Sequence, residues 1–193
     1  VLCVVPGLPV LIPAAIVVWA LLLRHLRHRN CLSLRRAVTA AVACLCGIVL
    51  LRSVLFPYPI VIGPQRATLP PWSVFVQLVP LVTVPQDPSG IILNIVLFAP
   101  IGVLLPFLVR ASVLRLGFVA FLLSVTIEVV QLVGDMTIST GRVADVDDVI
   151  GNTIGALLGI GLVRLLTRVP QLDRVAAPFE WHSSPLVRTS TAR

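Results

Sequence analysis

The sequence predicts an all-α fold: a polytopic transmembrane helical bundle of about five spans, N-terminus outside and C-terminus inside. Three observations predict it. Five apolar runs have roughly the 20-residue length that crosses a bilayer as a helix. The 193 residues are 58% hydrophobic and only 12% charged, about half the charge of a soluble domain, and the mean hydropathy is +1.04. The basic residues gather in the loops of one side, which sets orientation.

The apolar runs lie near 3–23, 37–56, 91–109, 113–133 and 149–166. The first has no positive charge ahead of it. Arg24, Arg27, Arg29, Arg35 and Arg36 follow it, with His25 and His28. A cleaved signal has the reverse polarity, so this run is read as a retained anchor. All fifteen basic residues are Arg. If the spans alternate, twelve of them fall on one side: the 24–36 loop, Arg110, Arg115, Arg164, Arg168, Arg174, Arg188 and Arg193. That side is read as cytoplasmic. Arg52, Arg66 and Arg142 fall toward the other side.

The net charge is +7, yet the arginines form no basic helix and no aromatic-interleaved patch. A nucleic-acid partner is therefore excluded from the expected set. Cys3, Cys31, Cys44 and Cys46 show no zinc spacing and are read as small apolar side chains.

The organisation follows. Residues 1–56 hold two transmembrane helices joined by a basic cytoplasmic loop. Residues 57–90 form a Pro-rich outer loop. Within it, 71–84 is apolar but short and broken by Pro80, so an interfacial or re-entrant segment is expected there, covering the outer face as a partial lid. Residues 91–166 form a core of three transmembrane helices. The cytoplasmic tail, 167–193, is polar without helical periodicity and is read as loosely ordered. Pro100 and Pro106 lie inside the third span, where each removes a backbone donor and should kink the helix.

Polar groups are costly in lipid, so their positions carry information. Asn94 lies about one turn inside the third span. Glu128 and Gln131, three apart, share a face near the outer end of the fourth. Asp145, Asp148 and Asn152 share a face at the mouth of the fifth, with Arg142 just ahead of it. Arg52 sits near the outer end of the second. All eight lie at the outer level, which points to an outward-facing polar pocket. Asn94, Gln131 and Asn152 also fit interhelical hydrogen bonding. Asp145 and Asp147 also fit the positive dipole end of a helix. Glu128 fits the structural explanation least, because a carboxylate inside an apolar helix requires a proton, a cation or a metal. Gly151, Gly155 and Gly159 are four apart and predict close helix packing.

No cofactor is expected. No EF-hand, P-loop, H-E-x-x-H or G-x-S-x-G occurs. No His lies near the acids, which argues against a histidine-ligated zinc or a serine–histidine hydrolase. Metal residues are accordingly assigned as none, with Mg²⁺ or Ca²⁺ held by Glu128, Asp145 and Asp148 kept as a minor alternative.

These residues resemble the VanZ-like family, named for a teicoplanin-resistance membrane protein, over roughly 72–166. "NIVLFAPIGVLLP" (94–106) is similar to its Asn-x-x-x-Phe-x-Pro-x-Gly segment through Asn94, Phe98, Pro100 and Gly102. "SVTIEVVQ" (124–131) resembles its Ser-x-x-x-Glu-x-x-Gln helix through Ser124, Glu128 and Gln131. "GRVADVDDVIGNTIGALLG" (141–159) resembles its Gly-Arg…Asp-x-x-Asp-x-x-x-Asn-Thr-x-Gly block. The positions are Gly141, Arg142, Asp145, Asp148, Asn152, Thr153 and Gly155; Asp147 falls on a variable one. Gln77-Leu78-Val79-Pro80-Leu81 departs at two positions from an Asn-Leu-x-Pro-Phe element. The first two spans match in hydropathy alone. The resemblance implies a link to resistance against teicoplanin-type lipoglycopeptides and implies no reaction.

Two classes of function stay open. One is a multi-pass protein of the cell membrane that binds a lipid headgroup, a cell-wall precursor or an envelope enzyme. The other is an integral membrane enzyme on an envelope lipid or glycan, with Glu128 and Asp148 as candidate catalytic acid and base. A proton-coupled carrier with Glu128 as relay is weaker, since the inner halves of the spans lack polar residues. The arginine asymmetry makes a direct prediction: a topology reporter fused after Arg193 reads cytoplasmic and one inserted near Gln86 reads external. The reverse pattern overturns the outward-facing arrangement.

Overall fold

Local sequence sets where each helix begins and ends. The computed structural model describes residues 2–56, 58–61, 72–82, 84–85, 88–138 and 143–182. Helix α1 (Gly7–His28) ends in a Schellman turn: Asn30 takes φ 52°, and the Asn30 and Cys31 amides donate to the Arg27 and Leu26 carbonyls. Asn tolerates this left-handed conformation better than most residues. Helix α2 (Leu34–Leu55) starts at once, capped by the Ser33 hydroxyl, which accepts from the Arg36 amide at 3.3 Å. Helix α3 (Pro88–Leu108) runs through Pro100 and Pro106 as one element. A short link leads to α4 (Val113–Ile138), with Ser112 accepting from the Arg115 amide. Helix α5 (Val146–Leu166) is capped by Asp145, whose Oδ1 accepts from the Asp147 amide at 2.9 Å.

These five helices are long and apolar enough to cross a membrane. The protein is an all-α polytopic bundle, as the periodicity and composition predict. Its outward faces carry residues such as Ile16, Leu45, Val96, Phe118 and Leu158, all exposed, as expected where lipid is the solvent. The interior is a small cluster of Leu50, Val54, Phe98, Ala120, Ile127 and Ala156 from α2, α3, α4 and α5.

The α3–α5 pair is the most extensive helix contact. A Cβ on Gly151 would meet the Ile91 carbonyl, one on Gly155 the Ile95 carbonyl, and one on Gly159 the Ala99 carbonyl. The offset is constant, so α3 and α5 run parallel with one glycine per turn at the contact. Gly102 of α3 returns the approach against the Ala156 backbone. Small residues at these positions let the backbones come close enough for dispersion to hold the pair. Helix α4 packs antiparallel to α5, α1 packs on α2, and α2 touches α3.

Two features depart from expectation. Among the described residues, four short strands form two pairings: β1 (Leu2–Val5) with β2 (Tyr58–Val61), antiparallel, and β3 (Val76–Gln77) with β4 (Ala144–Asp145), parallel. Both satisfy backbone groups beyond helix ends, where strand propensity carries little weight. The second departure is the tail, read as loosely ordered: over 170–182 it is folded. Helix α6 (Pro170–Ala176) and a 3₁₀ turn (Ala177–Phe179) dock on the bundle. The Thr39 hydroxyl donates to the Phe179 carbonyl at 3.1 Å, Arg36 Nε to the Glu180 carbonyl at 2.7 Å, and the Trp181 amide to the Phe107 carbonyl at 2.8 Å. The sequence carries a signal for this: Leu172, Val175, Ala176 and Phe179 repeat at helical spacing behind a helix-starting Pro170.

The glycine contact is testable. Gly155→Leu should cost ~3 kcal/mol or more, because overpacking a backbone contact forces the helices apart. Gly161→Leu, with open space around its Cβ, should be nearly silent. Thermal stability in detergent and membrane abundance check both.

Candidate functional site

Where α3 and α5 begin and α4 ends, polar side chains from three helices and a backbone carbonyl of α2 meet in successive layers. The deepest links α5 to α4: Asn152 Nδ2 donates to the Ser124 hydroxyl at 2.9 Å, with both residues buried. About one turn outward, Glu128 Oε2 accepts from the Asp145 backbone amide at 3.1 Å. Asn94 Nδ2 of α3 donates to Asp148 Oδ1 of α5 at 2.6 Å. Farther along α4, Gln131 Nε2 donates to the Val54 carbonyl in the last turn of α2 at 2.9 Å. That carbonyl has no partner inside its own helix, so Gln131 caps α2 from the side.

The structure therefore brings together six of the eight residues singled out by sequence: Asn94 with Asp148, Glu128 with Asp145, Asn152 on Ser124, and Gln131 on α2. Arg52 stands apart. It is exposed and borders a separate recess with Pro6, Gly7, Ser53 and Phe56. Among the described residues it makes no ion pair with the acids. Arg142 lies outside the described residues. His182 is at the opposite end of the bundle, against the Pro106 carbonyl and Glu180.

Two acids belong to this end that sequence reasoning passed over. Asp147 was placed at a variable position, yet it is only 2% exposed. Its Oδ1 accepts from the Leu81 amide at 2.6 Å, where Leu81 takes φ 63°. Together with the β3–β4 pairing, this ties the 72–82 segment to the start of α5. Asp135 is fully buried in the last turn of α4. The signal for it was present: Ser124, Glu128, Gln131 and Asp135 are spaced four, three and four, a single stripe along α4.

A groove of about 330 Å³ lies between 76–78, α4 and the start of α5. Phe121, Val125, Val129 and Leu132 form its α4 wall, and Glu128 and Asp145 also line it. The walls are almost wholly apolar. Among the described residues, the buried acceptors Gln131 Oε1 and Asn152 Oδ1 meet no hydrogen-bond donor. Among the described residues, no group of three His, Cys, Asp or Glu side chains is arranged to hold a metal ion.

The Asp147–Leu81 bond predicts a mechanical effect. Asp147→Ala should cost ~1–3 kcal/mol, the range for leaving a buried polar group unmatched. It should also make 72–82 more sensitive to limited proteolysis, while Asp147→Asn, which keeps an acceptor, should be milder.

The VanZ/LLP1 family model matches residues 42–167. The match starts within α2, earlier than the motif resemblance, and takes in all of α3, α4 and α5 with every polar layer described above. No curated protein and no solved structure matches the chain. With well over half of its length matched and five helices able to span a bilayer, the chain is a multi-pass membrane protein that belongs to the VanZ/LLP1 family.

Proposed function

We propose that the acidic end of the bundle faces outward and engages a polar component of the cell envelope, and that this contributes to resistance against teicoplanin-type glycopeptides. One observation carries the reading. Glu128 and Asp145 are among the residues that line an otherwise apolar groove between α4, the start of α5 and the 76–78 segment. A groove of this kind suits a molecule with an apolar chain and a polar head, the general build of envelope lipids and lipid-linked precursors. The N-out, C-in orientation rests on the arginine asymmetry: among the described residues, every arginine but Arg52 lies at or beyond the opposite ends of the helices.

A second reading has its own support. Glu128 and Asp148 sit at one level on neighbouring helices, and each accepts a hydrogen bond from another element, the Asp145 amide and Asn94. Such held carboxylates are the equipment of an acid–base enzyme acting on an envelope lipid or glycan. Profiles of envelope lipids and precursors from cells with and without the protein separate the two: an enzyme shifts the composition, and a binder leaves it unchanged.

The test uses a host whose glycopeptide susceptibility changes when the wild-type protein is expressed. Glu128→Gln preserves shape and hydrogen bonding but removes the charge. It should return susceptibility to that of the host alone while membrane abundance stays normal. Full activity in both Glu128→Gln and Asp148→Asn at normal abundance would count decisively against a functional acidic site.

A further inference from the structure

The segment 72–82 is apolar and exposed at once. Trp72, Val74, Leu78, Val79, Leu81 and Val82 are all exposed, Trp72 at 60% and Leu78 at 71%. The nearest charges in the sequence are Arg66 and Asp87, so 67–86 carries none. An uncharged apolar patch of this kind marks contact with a membrane or a partner. The backbone of the segment is turned the other way. Val76 and Gln77 pair with Ala144 and Asp145. The Val79 amide donates to Gln77 Oε1 at 3.0 Å, and the Leu81 amide to Asp147 Oδ1 at 2.6 Å. A loop in water buries its apolar side chains and leaves backbone groups to the solvent. Here protein groups hold these backbone groups and the apolar side chains stay outside, which is the arrangement lipid demands.

Depth decides between the membrane and a partner in water. The 3₁₀ turn Trp72–Phe75 packs on α4, and Val76 and Leu78 share a groove with Val125, Val129 and Leu132 of α4. These α4 residues belong to the Val113–Met136 stretch that is long and apolar enough to span a bilayer. Counted from Val113, Val129 stands about 24 Å along the axis, short of the roughly 30 Å of hydrocarbon that a span crosses. Helix α4 continues past Val129 to Ile138. The segment thus lies beside a span and not above its end. Its exposed surface continues that of α4, where Phe121 and Val129 are exposed as well.

We propose that 72–82 is embedded in the interfacial layer of the bilayer, in the leaflet on the acidic side, with Trp72, Leu78 and Val79 among the upper acyl chains. Tryptophan suits this layer, because its ring is apolar and its N–H reaches the headgroups. The pairing with 144–145 and the bond to Asp147 hold the segment at this depth. Since Val76 and Leu78 line the groove beside Glu128, the embedded segment sets that groove against lipid. The embedding holds whether or not the acids bind a ligand.

The full-length protein and its Trp72→Phe variant are reconstituted in phosphatidylcholine vesicles. The difference between their emission spectra reports Trp72, because Trp19 and Trp181 are present in both and cancel. Lipid brominated close to the headgroup should quench that emission more than lipid brominated near the chain ends. Acrylamide in the water should quench it several-fold less than it quenches free tryptophan. In the double variant Leu78→Asp, Val79→Asp, quenching by lipid should fall and quenching by acrylamide should rise, since carboxylates among acyl chains are costly; no change there overturns the proposal. Strong acrylamide quenching of the wild type with none from lipid overturns it, because the segment then lies in water. Resistance to every quencher overturns it too, because a second copy or another part of the chain then covers Trp72. Stronger quenching from the chain ends does the same, placing the segment deeper than the interface.

Discussion

The parallel contact between α3 and α5 is the constraint around which the bundle is arranged. In lipid there is no hydrophobic effect to press one helix on another, so the contact must come from dispersion between closely approaching backbones. Gly151, Gly155 and Gly159 make that approach possible from α5, and Gly102 makes it from α3. The polar site inherits its geometry from this packing. At Gly151 an added Cβ would lie 3.0 Å from the Ile91 carbonyl and 3.1 Å from Asn94 Cβ. One turn earlier on α5, Asp148 accepts from Asn94. The close approach that removes a side chain at 151 is thus what brings an amide of α3 within reach of a carboxylate of α5.

Polar side chains elsewhere in the spans divide by what they reach. Thr126 and Thr153 donate back to the carbonyls four residues earlier, Leu122 and Val149, and so cause no conflict with lipid. Ser124, Gln131 and Asn152 reach across to another helix, which cross-links α4 to α5 and α2. Such bonds are worth ~0.6 kcal/mol each on average in membranes. Their effect is on specificity: they fix the rotation of α4, and hence the direction in which Glu128 points. The carbonyl oxygens of Gln131 and Asn152 add two buried acceptors at this end.

Much of this was legible in the sequence, because a bilayer imposes simple rules. Span length and small-residue spacing follow directly from hydrocarbon thickness and from the packing of helices in lipid, so the five helices and the glycine contact are legible in the sequence. Asn94 with Asp148 could be expected only as residues of one level; that they pair with each other depends on the register of α3 against α5, which periodicity does not encode. Asp147 was missed because a carboxylate in a first helical turn is adequately explained by the helix dipole. Its hydrogen bond to Leu81 arises from a fold of the 72–82 segment whose turn, at Leu81, lacks the glycine that would have announced it. The docked tail was missed for a related reason. Its apolar positions repeat over a single short helix, and the interactions that fix it come from Arg36 and Thr39, some 140 residues earlier in the chain.

The five acids of the site are not equivalent, and the difference indicates where function should be sought. Asp145, Asp147 and Asp148 lie at the N-terminus of α5, where the helix dipole and free amides favour negative charge. Two of them also have structural duties, capping α5 and holding Leu81. Asp135 lies in the last turn of α4, the end where the dipole opposes a carboxylate. Glu128 lies more than two turns inside the same helix and is only 8% exposed, beyond the dipole's reach and away from bulk water. Glu128 accepts from the Asp145 amide, and for that bond an uncharged acceptor such as Gln would serve without a carboxylate to desolvate. A carboxyl group placed this deep in an apolar helix is costly to bury, which makes Glu128 the acid whose chemistry the proposed function draws on. The proposed function therefore rests on Glu128 more than on the three aspartates that first draw attention in the sequence.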